Sequence, residues 1–245
     1  MTPKPLSSRL AEWEADQRAK WQDADTPLTF EAWQGEQVAK ANAENEARMK
    51  AEWLAEQRAA RIQARENQTP NRYRSAEMSD EQVKAWCDHL VPQNLDQPIK
   101  GNVRGPSLLL LGATGRGKTH EAFGALRYLV EAGLPNTIKA VVAADLYAQL
   151  RPRTGVDSEE EFEKVARVGM LFVDDLGAAK SSEWVEEINY RLINHRYNHE
   201  LPTLFTSNVP PRELASVLGE RVASRLTEMC QTVVLKGQDR RRAAA

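Results

Sequence analysis

The stretch Gly112-Ala113-Thr114-Gly115-Arg116-Gly117-Lys118-Thr119 narrows the possible folds more than any other part of this chain. It fits the pattern G-x-x-x-x-G-K-[ST] in full, follows the apolar run Ser107-Leu108-Leu109-Leu110-Leu111 and opens a helix-like run over 119–129. Glycines at those positions let consecutive backbone N–H groups curve around phosphate oxygens, where side chains would collide. The helix that follows points its N-terminal N–H groups at the same anion. Lys118 is placed to reach the β- and γ-phosphates and the Thr119 hydroxyl to ligate Mg²⁺, with His120 closing the binding stretch. The loop does not encode the base.

Downstream, strand candidates at 138–142, 170–173, 203–207 and 232–235 alternate with helical runs, which argues a mostly parallel sheet covered on both faces. Met170-Leu171-Phe172-Val173 delivers Asp174-Asp175 at its C-terminal end, as a second element of a phosphate site does. Asp174 is then expected to hold the Mg²⁺ shell, and Asp175 to orient and help deprotonate the attacking water. Asn208 follows the next strand on the rim where ligands bind, and its amide can bond a γ-phosphate or that water. In the helix 182–197, Trp184, Val185, Ile188, Leu192 and Ile193 form a buried side, while His195 and Asn198 read as surface or fold-level residues. Arg221 and Arg225 share one face of a later helix. They are candidates for stabilising transition-state charge, one of them across a subunit boundary, although a charged helix face is the commoner use of such a pair.

Residues 1–66 have a different character, rich in Ala, Glu, Gln and Arg. Trp13, Trp33 and Trp53 recur every 20 residues, each followed by an acidic residue, a Gln and an Ala at the same offsets. One helix is expected over about 8–22, a break at Asp25-Thr26-Pro27, and a second helix capped by Thr29 with nothing to stop it before 65. The segment has too little Leu, Ile and Val for a core of its own, so its Trp stripe packs on neighbouring helices or on a partner protein. The stretch 67–100 reads as a polar linker and a lead-in helix capped by Ser79 with Gln82 three residues on, and 101–245 as the core domain.

Composition limits the classes. With 41% hydrophobic and 28% charged residues and a formal charge of −2, the chain suits a soluble protein with one sizeable core. No apolar run has membrane length and the opening residues lack the apolar segment of a secretory signal, so a cytoplasmic protein without membrane contact is expected. Cys87 and Cys230 stand far apart, which suggests neither a disulfide framework nor a zinc knuckle.

The order of glycine loop, Asp-Asp strand, Asn-ended strand and Arg-bearing helix resembles the AAA+ ATPases. The wording Asn71-Arg72-Tyr73-Arg74-Ser75-Ala76, Leu192-Ile193-Asn194-His195-Arg196-Tyr197, Thr206-Ser207-Asn208 and Gly219-Glu220-Arg221-Val222-Ala223-Ser224-Arg225-Leu226 is similar to the bacterial and phage replicative-helicase loaders. It is equally similar to their relatives, the ATP-binding helpers of insertion-sequence transposases. The resemblance covers about 70–242 and leaves out the Trp repeat. It implies an α/β AAA+ core with a five-stranded parallel sheet, an all-helical N-terminal region, and no C-terminal helical lid, since little chain follows Gly237. It also implies ATP and Mg²⁺, with hydrolysis as a switch. Carried over by motif, Arg225 is the arginine finger acting on a neighbour's ATP, Arg241 the sensor arginine for the γ-phosphate, and Tyr73 the residue beside the adenine. The implied function is ATP-dependent loading of the hexameric replicative helicase onto single-stranded DNA at the start of replication. Its partners are the helicase, through the N-terminal helices, the DNA strand, and other copies of the chain. The alternative is a transposition helper that binds duplex DNA and regulates a transposase.

Overall fold

A computed structural model describes residues 6–91, 102–134, 137–179 and 182–236. Contacts divide the chain into two compact units, Met1–Gln57 and Arg58–Ala245. Helix α1 spans Leu6–Asp23 and α2 spans Phe30–Gln68, so the units meet inside α2 rather than in the polar stretch beyond 66. The reason is local: Gly35 alone does not break a helix, and the first strong stop is Pro70.

In the N-terminal unit the corner between the helices is an aromatic cluster. Asp25 turns with φ 44°, and Thr29 caps α2 by accepting from Ala32 N at 3.3 Å. The Trp21 indole donates to Leu28 O at 3.0 Å, and its ring meets Phe30 edge-on at 5.8 Å. Phe30 stacks on Trp33 at 6.4 Å beneath the Arg18 guanidinium. The three repeated tryptophans are therefore unequal: Trp33 is 8% exposed, whereas Trp13 and Trp53 are each 54% exposed.

The second unit contains α3 (Glu81–Leu90), β1 (Ser107–Leu111), α4 (Lys118–Glu131), β2 (Ile138–Val142), α5 (Ala143–Leu150) and α6 (Ser158–Ala166). They are followed by β3 (Met170–Asp174), α7 (Glu183–Asn198), β4 (Thr203–Ser207), α8 (Leu214–Leu218), α9 (Glu220–Met229) and β5 (Cys230–Val234). The strands form one parallel sheet in the order β2-β3-β4-β1-β5. Alternate residues face opposite sides. Leu109, Leu111, Leu171, Val173 and Phe205 join side chains of α5 to α9 in one core, while Leu108, Leu110, Met170, Phe172 and Leu204 join α3 and α4 in the other. Central β1 and β4 are buried at every position, as a doubly covered parallel sheet requires, whereas β2 and β5 are partly open edges. No helix among the described residues is long and apolar enough to cross a membrane.

Helix α3 is tied directly to the start of α4. Buried Glu121 accepts from Ser79 N at 2.7 Å, Ser79 Oγ at 2.9 Å and Asp80 N at 2.6 Å. A Cβ at Gly124 would lie 2.5 Å from Met78 N, so only glycine lets this segment approach. The expected cap Ser79 is thus corrected to Asp80, whose carboxylate accepts from Gln82 N at 2.9 Å and Val83 N at 3.3 Å. Ser79 is taken up by Glu121, a buried carboxylate that needs donors.

Candidate functional site

The carboxyl ends of β1, β3 and β4 converge on the loop that leaves β1, and this rim is where open parallel sheets bind ligands. The loop is shaped by glycine backbone: Gly112 has φ 151° with Leu235 O only 2.8 Å from where a Cβ would sit, and Gly117 has φ 85° at the cap of α4. Glu121 N is the first to close a helical bond, to Gly117 O at 2.8 Å. The first turn of α4 thereby presents its N-terminal end to the loop, where backbone N–H groups can meet an anion.

Lys118, 5% exposed, folds its ammonium back over the loop. It donates to Gly112 O at 2.8 Å, Ala113 O at 3.2 Å and Asn208 Oδ1 at 2.5 Å. Asn208 in turn donates through Nδ2 to Asp175 Oδ1 at 2.9 Å. Asp174 accepts from the Thr119 hydroxyl at 3.0 Å and the Thr206 hydroxyl at 2.5 Å. Of the five sequence-predicted residues, Lys118, Asn208 and Asp175 are therefore linked by hydrogen bonds into one chain, and Thr119 and Asp174 into a pair beside it.

Asp175 owes its position to a strained backbone, with φ 56°, a left-handed conformation that is uncommon outside glycine. Three bonds to β4 hold the kink: Asp175 N to Thr206 Oγ1 at 2.9 Å, Leu176 N to Thr206 O at 2.8 Å, and Ser207 Oγ to Leu176 O at 2.6 Å. The turn carries Asp175 out of the sheet and into a cleft of about 350 Å³. Thr114, Gly115, Gly117, Lys118, Thr119, His120 and Asn208 line that cleft with it, and Arg72 and Tyr73 form its far wall. Tyr73 is held by stacking on Phe123, ring centroids 4.8 Å apart and 11° from parallel. His120 Nε2 accepts from Glu77 N at 3.4 Å. Gly112, Ala113 and Arg116 form the loop behind the cleft rather than its lining.

Sequence reasoning missed Arg72, Phe123 and Thr206. Thr206 is the most informative, since one side chain fixes both acidic residues; the signal was its place two residues before Asn208 on the neighbouring strand.

The donor set suits a hard cation. Asp174 and Thr119 offer oxygen ligands only, and no cluster of three or more His, Cys, Asp or Glu occurs among the described residues. One carboxylate, one hydroxyl, waters and phosphate oxygens are what Mg²⁺ takes in such sites. The Asp174 carboxyl sits above the ordinary carboxylate value, chiefly because it is buried; the charge of Asp175 adds to this, and the bonds from Thr206 and Thr119 oppose it. A raised value means that the folded chain keeps a proton that the unfolded chain releases. Stability is therefore highest below the ordinary value of 3.8, falls as pH climbs to the raised value, and stays reduced above it. Asp174→Asn is expected to remove this loss and raise the Tm of the nucleotide-free protein by about 2–4 °C at pH 7, with a smaller gain near pH 4. Thermal unfolding at both pH values checks it.

The arginines lie elsewhere. Arg225 on α9 stands with its guanidinium carbon 4.3 Å from the Tyr197 ring centre and donates to Glu228 at 3.2 Å. Tyr197 and Glu228 border an opening beside Ser107 and Leu201, at the amino ends of β1 and β4, away from the cleft. Arg221 leans toward Tyr190 at 5.8 Å. Arg241 lies outside the described residues.

Sheet order, phosphate-binding loop and acidic strand end together define an ATP-binding domain of the AAA+ class of P-loop proteins. The chain belongs to the family of IstB-like ATP binding proteins, whose sequence model matches residues 31–244. It is similar to the replicative helicase loader DnaI of Bacillus subtilis, 29% identical over 153 residues that cover 56% of this chain and 48% of the relative. The replicative helicase loader DnaC of Escherichia coli K12 is 24% identical over 203 residues, 80% of this chain and 78% of the relative. Among solved structures, that of a DnaC helicase loader superimposes with a TM-score of 0.57 at 25% identity, covering 68% of this chain and 100% of that one.

Proposed function

We propose that this protein is an ATP-hydrolysing switch that binds a hexameric replicative helicase and places it on single-stranded DNA. The observation that carries the enzymatic half is the chain of bonds from Lys118 through Asn208 to Asp175, because it joins the phosphate-binding cation to the acid that faces the cleft. Similarity to proteins named as replicative helicase loaders supports the other half.

In this reading the loop N–H groups and Lys118 hold the β- and γ-phosphates. Thr119 and Asp174 hold Mg²⁺, which when bound neutralises charge on the phosphate oxygens. Asn208 and Asp175 orient a water, and Asp175 accepts its proton as the oxygen bonds to the γ-phosphorus and the bond from that phosphorus to the departing ADP oxygen breaks. Tyr73, backed by Phe123, offers its ring to the base. Arg225 lies beside Tyr197 and Glu228, which border the amino ends of β1 and β4, and does not line the cleft at their carboxyl ends, so in this reading it serves the cleft of another copy. Trp13 and Trp53 supply exposed anchors for the helicase on the N-terminal helices. Arginines and lysines of the assembled inner face contact the DNA backbone.

The test is transfer of the partner helicase onto a covered single-stranded circle by the full chain. Unwinding that requires both this protein and ATP is expected; a protein that neither binds the helicase nor changes its loading would end the reading. The match to the IstB-like family favours a second reading, a helper that acts on duplex DNA and a transposase. ATP-dependent filaments on duplex DNA, without helicase binding, would select it.

A further inference from the structure

The motif Asn194-His195-Arg196-Tyr197 has no part in the cleft, yet its geometry is highly determined. Arg196 is 0% exposed and donates to Ala166 O, Val168 O, Pro202 O and Thr203 Oγ1 at 2.6–3.0 Å, fixing the end of α7 to the loops before β3 and β4. The next residue, Tyr197, is thereby set at the surface in one orientation. Its hydroxyl donates to Glu228 Oε2 at 2.8 Å, and the same oxygen accepts from Arg225 Nη1 at 3.2 Å. Ser224 Oγ donates to the other carboxylate oxygen at 3.3 Å, so Glu228 is held from three sides. The Arg225 guanidinium carbon then lies over the Tyr197 ring, 4.3 Å from its centre, with the side chain one-third exposed.

We propose that Tyr197 and Glu228 are positioning residues for Arg225, holding its guanidinium on the face opposite the chain's own cleft and aimed at the cleft of a second copy. This rests on the reading of Arg225 as an arginine that acts across a subunit boundary. The physical reason is rotamer freedom. A long exposed arginine samples many conformations, whereas one stacked on a ring and pinned by one carboxylate oxygen keeps its other N–H groups free in a single direction. Orientation fixed before the neighbour arrives lowers the barrier without changing how ATP binds.

The experiment is steady-state ATP turnover by the full chain with single-stranded DNA, at protein concentrations where turnover per chain no longer rises. Arg225→Ala is expected to lower kcat by about 10³-fold. Tyr197→Leu should lower it about tenfold with KM for ATP within about twofold, while Tyr197→Phe, which keeps the ring, recovers most of it. Glu228→Gln, which alters only one surface carboxylate, should cost about threefold. In the Arg225→Ala background none of these changes should reduce kcat further. Wild-type kcat in both Tyr197→Leu and Glu228→Gln, beside a strong Arg225→Ala defect, would overturn the positioning role and leave the reading of Arg225 intact. An equal Tyr197→Leu loss with and without Arg225 would assign the ring a structural part and overturn it too. A harmless Arg225→Ala, or a wild-type chain without turnover, would remove the reading and the proposal together.

Discussion

Lys118→Ala is expected to cut ATP turnover by at least about 10²-fold while leaving the fold in place. The lysine is doubly engaged. Toward bound phosphates it would supply fixed positive charge, as proposed, and within the chain it spans Gly112 O, Ala113 O and Asn208. Alanine removes the charge and also unties Asn208, which then orients Asp175 less well. The two losses are coupled, so Lys118→Ala and Asn208→Ala should be strongly non-additive: the double variant should turn over about as slowly as Lys118→Ala alone. Lys118 itself lines an open cleft from which water can take the place of its ammonium, so thermal unfolding should move little. A Lys118→Ala protein that retained more than about a tenth of wild-type kcat would show that the cleft does not work through this cation.

The second large effect concerns stability. Arg196→Met should lower the unfolding free energy by about 3–5 kcal/mol, enough to lower Tm by about 6–20 °C in a chain of this size. Methionine fills the channel left by the arginine stem but returns nothing to buried Ala166 O, Pro202 O and Thr203 Oγ1 or to partly buried Val168 O. Burial pushes the Arg196 guanidinium down to about 9, so it remains charged at neutral pH, neutralised by carbonyl dipoles in place of a carboxylate. Arg196→Lys keeps the charge but cannot reach both sides of the junction with its single nitrogen, and should fall between the two. Urea unfolding of the three proteins ranks them; a methionine variant as stable as wild type would mean that these loops find other donors.

The elements that the sequence made legible are those whose signals are local. Strands β1, β2 and β4 begin and end where the apolar runs do, and Thr29 caps its helix as its position suggests. Lys118, Thr119, Asp174, Asp175 and Asn208 could be nominated together because each sits at an element end, and parallel strands bring such ends to one rim. What sequence spacing does not carry is the choice of partner across the fold. Ser79 and Asp80 are equally good caps by type, and buried Glu121, distant along the chain, decides between them. Arg196 reads as one more charge near the end of a helix until the loops that close around it are seen. The tryptophan repeat suggests three equivalent units, but only the corner formed by Trp21 and Phe30 gives one of them, Trp33, something to pack on.

If Arg225 completes the cleft of a second copy, as proposed, the number of completed clefts depends on how the subunits are joined. A lone subunit owns a cleft and an arginine that cannot meet. Subunits joined in an open row always leave one cleft unserved at one end and one arginine unused at the other, whatever the length of the row. Only a closed ring matches every arginine to a cleft. On this proposal the fraction of ATP left unhydrolysed would report whether the assembly has an end, and a gap that admits a DNA strand would also be the place where ATP persists longest.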